Sequence, residues 1–305
     1  MTGVPVEEVV EVDGIPISAL VLAVPEPRAV VLALHGGATT SIYFDAPGRP
    51  RHSLLRIGAA LGYTMIAVDR PGYGRSAGHT GAMPSEAHRR DLVFGAVDRL
   101  LEDRGRGAGV FLLAHSRGAM LALQMAGGPR GAELLGLEIS GSGLNHTELL
   151  TEATRARYPE SGPPQPSKIS LRDLLWEPSR LYPEDILAGG GIASPAPAFD
   201  GEVERPWQEE FPELAAKVVV PFRYTLADHE RVWRAGPEGL AEVAALFTAS
   251  PRVVVNEQAD SAHNLSLGLT ATAYHLGALA FAEECVLLRE RTGRPEIERE
   301  GGRLG

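Results

Sequence analysis

The sequence predicts an α/β protein: a mainly parallel, eight-stranded sheet flanked by helices and interrupted by one insertion of short helices and loops. Three observations carry this. Short runs rich in Val, Ile and Leu alternate with segments of helical spacing, the pattern of βαβ units. Several of these runs are apolar throughout, as strands covered on both faces are. The alternation breaks between about Leu144 and Ala216, where ten of the 23 prolines fall, and then resumes.

Each element can be justified in turn. Val6–Val12 and Ile15–Val24 are split by Asp13-Gly14, a pair suited to a tight hairpin. Ala29–Leu34 and Thr64–Val68 are continuous apolar strands, with a helix between them over about Ser53–Leu61. From Ser85 to Asp103, Leu92, Val93, Ala96, Val97, Leu100 and Leu101 recur at helical spacing. Gly109–Leu113 is the next strand, followed by a helix over about Arg117–Met125 and a strand near Leu134–Ile139. Within the irregular stretch, apolar anchors such as Leu174, Trp176, Leu181, Tyr182, Trp207 and Phe211 stand apart. Beyond it come a strand at Val218–Val220, a helix near Pro237–Phe247, a strand at Val253–Val255 and a long helix over about His263–Arg291. The tail, 294–305, is charged and Gly-rich and is expected to fray.

Composition excludes several classes. The chain has 305 residues, 44% of them apolar, enough for one large domain with an insertion. A net charge of −10 argues against a broad nucleic-acid surface. The single cysteine, Cys285, allows neither an intramolecular disulfide nor a cysteine-rich zinc site. No apolar run approaches the roughly 20 residues of a membrane span. The first residues lack the basic patch and apolar core of a secretory signal. A cytoplasmic location is expected, with neither cofactor nor metal.

The sharpest local feature is Ala114-His115-Ser116-Arg117-Gly118, where a strand runs into a helix. A serine at such a turn sits in strained backbone with its hydroxyl exposed, and the residues two before and two after it must be small. This is the nucleophile elbow, with Ala in place of the usual first Gly. The competing reading is a serine that only caps the helix. A second feature is His35-Gly36-Gly37-Ala38-Thr39 at the exit of a strand. Its glycines let backbone N–H groups, that of Gly37 in particular, face a developing oxyanion together with the N–H of Arg117. An ordinary strand-exit turn is the alternative. His35 belongs to that turn and is expected to be structural.

With these pieces, and with Asp69-Arg70-Pro71-Gly72-Tyr73-Gly74-Arg75-Ser76 between them, the chain resembles the α/β-hydrolase superfamily over nearly its whole length. The resemblance implies the α/β-hydrolase fold, with core segments 1–143 and 217–293 and a lid at 144–216. It also implies the chain order Ser, acid, His. Ser261-Ala262-His263-Asn264 looks like the family's Gly-x-Gly-His segment, making His263 the base in preference to His275, His229 or His146. The strand Pro221–Leu226 resembles the one before the family's Gly-Glu-x-Asp motif. Laid on that motif, Glu230 takes the acid position. Asp228 is reached by a shift of two residues, and Glu138 occupies a place where some members carry their acid instead.

Ser116 would then attack an acyl carbon while His263 moves the proton. The Arg117 side chain is expected to bridge a nearby acid, with a substrate carboxylate as the alternative. The lid anchors and Ile42, Tyr43 and Phe44 suggest a largely hydrophobic pocket for a small-molecule acyl substrate. Ester or thioester hydrolysis leads. A lyase or cyclase of specialised, polyketide-type metabolism is the runner-up, and a non-catalytic ligand-binding relative comes third. The resemblance leaves the oligomeric state open.

Overall fold

The computed structural model describes residues 3–157, 169–189, 191–201 and 206–292. The charged tail and part of the proline-rich insertion lie outside the described residues.

β1 (Val6–Val12) and β2 (Ile15–Leu22) form the expected hairpin. Asp13 and Gly14 take φ of 51° and 74°, the positive pair that a two-residue hairpin turn needs. β3 (Val30–Leu34), β4 (Thr64–Val68), β5 (Val110–His115), β6 (Leu134–Ser140), β7 (Phe222–Ala227) and β8 (Val253–Gln258) complete the sheet. Its order is β1-β2-β4-β3-β5-β6-β7-β8. The first two pairings are antiparallel and the others parallel. Strand periodicity divides the core in two. Val30, Leu32 and Leu34 of β3 point into one apolar cluster, while Val31 and Ala33 point into the other.

The first cluster packs under α2 (Glu86–Leu100), α3 (Arg117–Ala126) and α8 (Gly236–Ala244). The second packs under α1 (Leu54–Ala60) and α9 (Ala271–Thr292). Ser53 and Ser85 cap α1 and α2 by accepting the backbone N–H of Arg56 and His88. The insertion contributes α4 (Glu148–Arg157), α5 (Leu171–Trp176), α6 (Glu184–Leu187) and α7 (Trp207–Ala215). Leu174, Trp207 and Phe211 join the first cluster and Leu181 and Tyr182 the second, so the insertion is anchored in both.

Two expectations need correction. Val218–Val220 is not a strand; Pro221 has no N–H to donate and only accepts Leu137 N–H, and Phe222 is the first residue to donate into the ladder, to Arg252 O. His263 does not open the last helix. It lies in a loop ahead of a single 3-10 turn, Leu265–Leu267, and α9 starts only at Ala271.

Candidate active site

Parallel strands present their C-terminal ends on one edge, and the loops leaving β3, β5, β7 and β8 bring Gly37, Ser116, Glu230 and His263 together there. Ser116 has φ 53° and ψ −119°, a strained left-handed conformation for a residue with a β-carbon. Close packing enforces it. A β-carbon at Gly118 would collide with the carbonyl oxygens of Leu34 and His35. Ala114 is fully buried beside Leu34. The Ser116 N–H is held by Ser140 O at 2.8 Å. Its hydroxyl caps no helix N–H, which removes the capping reading.

Ser116 Oγ lies 3.2 Å from His263 Nε2. On the other side of the ring, both Glu230 oxygens are 3.0 Å from Nδ1. Burial alone would raise the Glu230 carboxyl. The adjoining His263 ring and the N–H groups of Val232 and Trp233 outweigh burial and hold it below the ordinary glutamate range. The other two acid candidates are engaged elsewhere. Asp228 accepts the N–H groups of Asp260 and Ser261 and so shapes the loop that carries His263. Glu138, fully buried, accepts from Arg223 and Thr225. The insertion also holds the histidine loop, because Asn264 N–H donates to Tyr182 O–H at 3.0 Å and Asn264 Nδ2 to Leu175 O.

Gly37 and Arg117 line the cavity with the serine, and among the described residues neither backbone N–H donates to a main-chain acceptor outside the helices and strands. The turn carrying Gly37 is braced by residues whose role the motif alone did not reveal. Arg70 donates to Gly36 O at 3.0 Å and grips both oxygens of Asp200 at 2.8 and 2.9 Å. Tyr73 O–H accepts from Ala38 N–H and donates to Asp200 at 2.6 Å. His35 donates from Nδ1 to Gly36 O and accepts Arg70 N–H at Nε2. Burial and the Arg70 charge lower its pKa to about 3, so it stays neutral and structural. His115, beside the serine, is likewise kept neutral by burial and stacks on Tyr43.

A cavity of about 620 Å³ opens over Ser116, with Leu150, Leu171, Leu175, Trp207 and Val232 among its walls. Of the three expected pocket residues Ile42, Tyr43 and Phe44, all pack in the second core cluster and only Tyr43 also reaches the cavity. The expected Arg117 salt bridge is absent among the described residues. Its nearby acid, Asp200, is taken by Arg70.

Residues 30–284 match the model of the Alpha/beta hydrolase family. The chain belongs to that family. The fold of this hydrolase-family chain is also that of several solved structures. A thermostable carboxyl esterase from Bacillus coagulans in complex with glycerol shares 17% identity at a TM-score of 0.67, covering 93% of this chain and all of the other. A monoglyceride lipase from Saccharomyces cerevisiae in complex with a substrate analogue shares 14% at 0.64, covering 97% of each. A thioesterase domain from the curacin biosynthetic pathway shares 21% at 0.58, covering 93% of this chain and all of the other. At these identities the likeness is one of fold. No curated protein matches the chain in sequence. Among the described residues no helix is long and apolar enough to cross a membrane.

Proposed function

We propose that the protein is a serine hydrolase that cleaves an ester or thioester of a small to medium, largely hydrophobic acyl substrate. The observation that carries this is the unbroken relay from Glu230 through His263 to the strained Ser116. Ser116 Oγ attacks the acyl carbon as His263 Nε2 takes its proton, and the N–H groups of Gly37 and Arg117 receive the negative oxygen. Collapse breaks the bond to the alcohol or thiol, which leaves with the proton from His263. Water, deprotonated by the same ring, then attacks the acyl-enzyme, releasing the acid and restoring Ser116. Glu230 fixes the tautomer with Nδ1–H and stabilises the imidazolium.

Segment 144–216 acts in this reading as a lid on a core formed by 1–143 and 217–293. Its support is that Leu150, Leu171, Leu175 and Trp207 wall the cavity while Tyr182 and Leu175 hold the histidine loop. Similarity in fold to an esterase, a lipase and a thioesterase agrees with the reaction class. The test is turnover of short p-nitrophenyl esters and of matched thioesters by the wild type and by Ser116→Ala. Turnover that Ser116→Ala abolishes supports the proposal. Equal turnover by a folded Ser116→Ala protein contradicts it.

A further inference from the structure

Arg117 stands at the first turn of α3 and lines the cavity beside the serine. Its stem lies along the Gly37 turn, with Cγ 3.6 Å from where a β-carbon on Gly37 would stand. A guanidinium carries five N–H donors. Among the described residues, the hydrogen bond this one makes is from Nη1 to the thioether sulfur of Met120 at 3.3 Å, a weak acceptor.

The acids around it are engaged with other groups. Asp200 gives both oxygens to Arg70 and one also to Tyr73. Glu86 and Glu210, on the adjoining recess, both accept from Gln124. Arg89, across that recess, donates to Met83 O and covers the Phe199 ring. Asp200 thus lies near two guanidinium groups, those of Arg70 and Arg117, and geometry assigns its hydrogen bonds to Arg70. Among the described residues the Arg117 fork is left without a carboxylate at hydrogen-bond distance on the wall of the cavity, where burial works against its charge while Asp200 and Glu86 lie close enough to favour it.

We propose that Arg117 is a specificity residue that pairs with a carboxylate on the substrate, making the preferred substrate an ester or thioester with one anionic arm. This rests on the hydrolase reading and extends it to a substrate class. The planar fork matches a carboxylate in bidentate fashion. One guanidinium, without a carboxylate partner among the described residues, balances a monoanion, whereas a phosphate dianion would keep a second charge to be compensated. The carboxylate belongs to either the acyl part or the leaving group, and matched probes separate the two.

Three esters are compared: p-nitrophenyl valerate, mono-p-nitrophenyl glutarate, and 3-carboxy-4-nitrophenyl valerate, each corrected for spontaneous hydrolysis. The wild type should favour one of the charged esters by about tenfold or more in kcat/KM over the neutral one. Arg117→Met should reduce that preference by a similar factor, read as a ratio so that any common loss cancels, and Arg117→Lys should restore part of it. A wild type that prefers the neutral ester, or a preference that Arg117→Met leaves intact, overturns the proposal. If the wild type cleaves none of the three, the hydrolase reading fails on its own. Calorimetry then compares valeranilide with glutaric acid monoanilide and with 3-(valerylamino)benzoic acid: tighter binding of either acid, lost in Arg117→Met, upholds the carboxylate site, and equal binding of all three overturns it.

Discussion

Glu230 meets His263 with both carboxylate oxygens at 3.0 Å from Nδ1, and one of those oxygens also accepts Val232 N–H at 2.8 Å. The carboxylate is therefore fixed by backbone before it touches the ring, and the ring inherits that orientation. Asp228, two residues earlier, points to the turn at Asp260 instead. Glu230→Gln should accordingly lower kcat by up to ~10⁴, the cost of losing the tautomer and the cation's partner in the best-studied triad. Asp228→Asn and Glu138→Gln should leave kcat far closer to wild type, with their cost appearing in stability. Steady-state kinetics on the three folded variants checks the order, and a crippled Asp228→Asn beside an active Glu230→Gln would reverse the assignment.

Gly118 is a steric requirement of the elbow. Its β-carbon would strike two main-chain oxygens that no side-chain rotation can move. Gly118→Ala should cost about 1–3 kcal/mol of stability, typical of overpacking, or prevent folding. Urea unfolding measures it; a variant as stable as wild type would mean the helix can retreat from Leu34 and His35.

Asp200 and Arg70 lie 130 residues apart and form a buried bidentate pair against the Gly37 turn. Arg70→Met strands the Asp200 carboxylate and should destabilise the fold by roughly 3–5 kcal/mol. Asp200→Asn keeps a hydrogen-bonding group there and tests positioning. It should lower kcat more than it raises KM, because the turn it braces holds the Gly37 N–H that we propose receives the negative oxygen. A pure KM effect would place Asp200 in substrate binding instead.

Acid should erode one identifiable contribution to stability. The Glu230 carboxyl lies below its ordinary value of 4.5 in the folded chain, so the unfolded chain binds its proton first as pH falls. Its contribution is present above about pH 4.5 and is lost as the pH drops through the lowered value. The Tm gap between wild type and Glu230→Gln should therefore narrow on acidification from roughly pH 7 to pH 3. A gap independent of pH would mean that the carboxylate is not held in its charged form.

The strands and the elbow were legible because simple sterics write them into local sequence. Val30–Leu34 must be apolar on both faces, and Ser116 needs small neighbours two residues away on each side. Where the local pattern is ambiguous, tertiary contacts decide. Val218–Val220 looks like a strand but is half of a loop, since the proline that follows sets where pairing begins. The sequence runs from His263 into the last helix without a proline to mark the boundary, whereas the loop's true shape depends on Asp228 and Tyr182, far away in sequence. Asp200 left no trace at all. It sits in a stretch without periodicity, and only tertiary contact with Arg70 and Tyr73 gives it a role.

If Ser116 is an activated nucleophile, it should react covalently with an electrophilic phosphonate. The intact protein is incubated with a fluorophosphonate, digested, and the adduct mapped by mass spectrometry. The expected result is a single phosphonylated peptide with the modification on Ser116, absent in Ser116→Ala and much slower to form in Glu230→Gln. A folded wild type that takes up no label at Ser116, or takes it up at another residue, would contradict it.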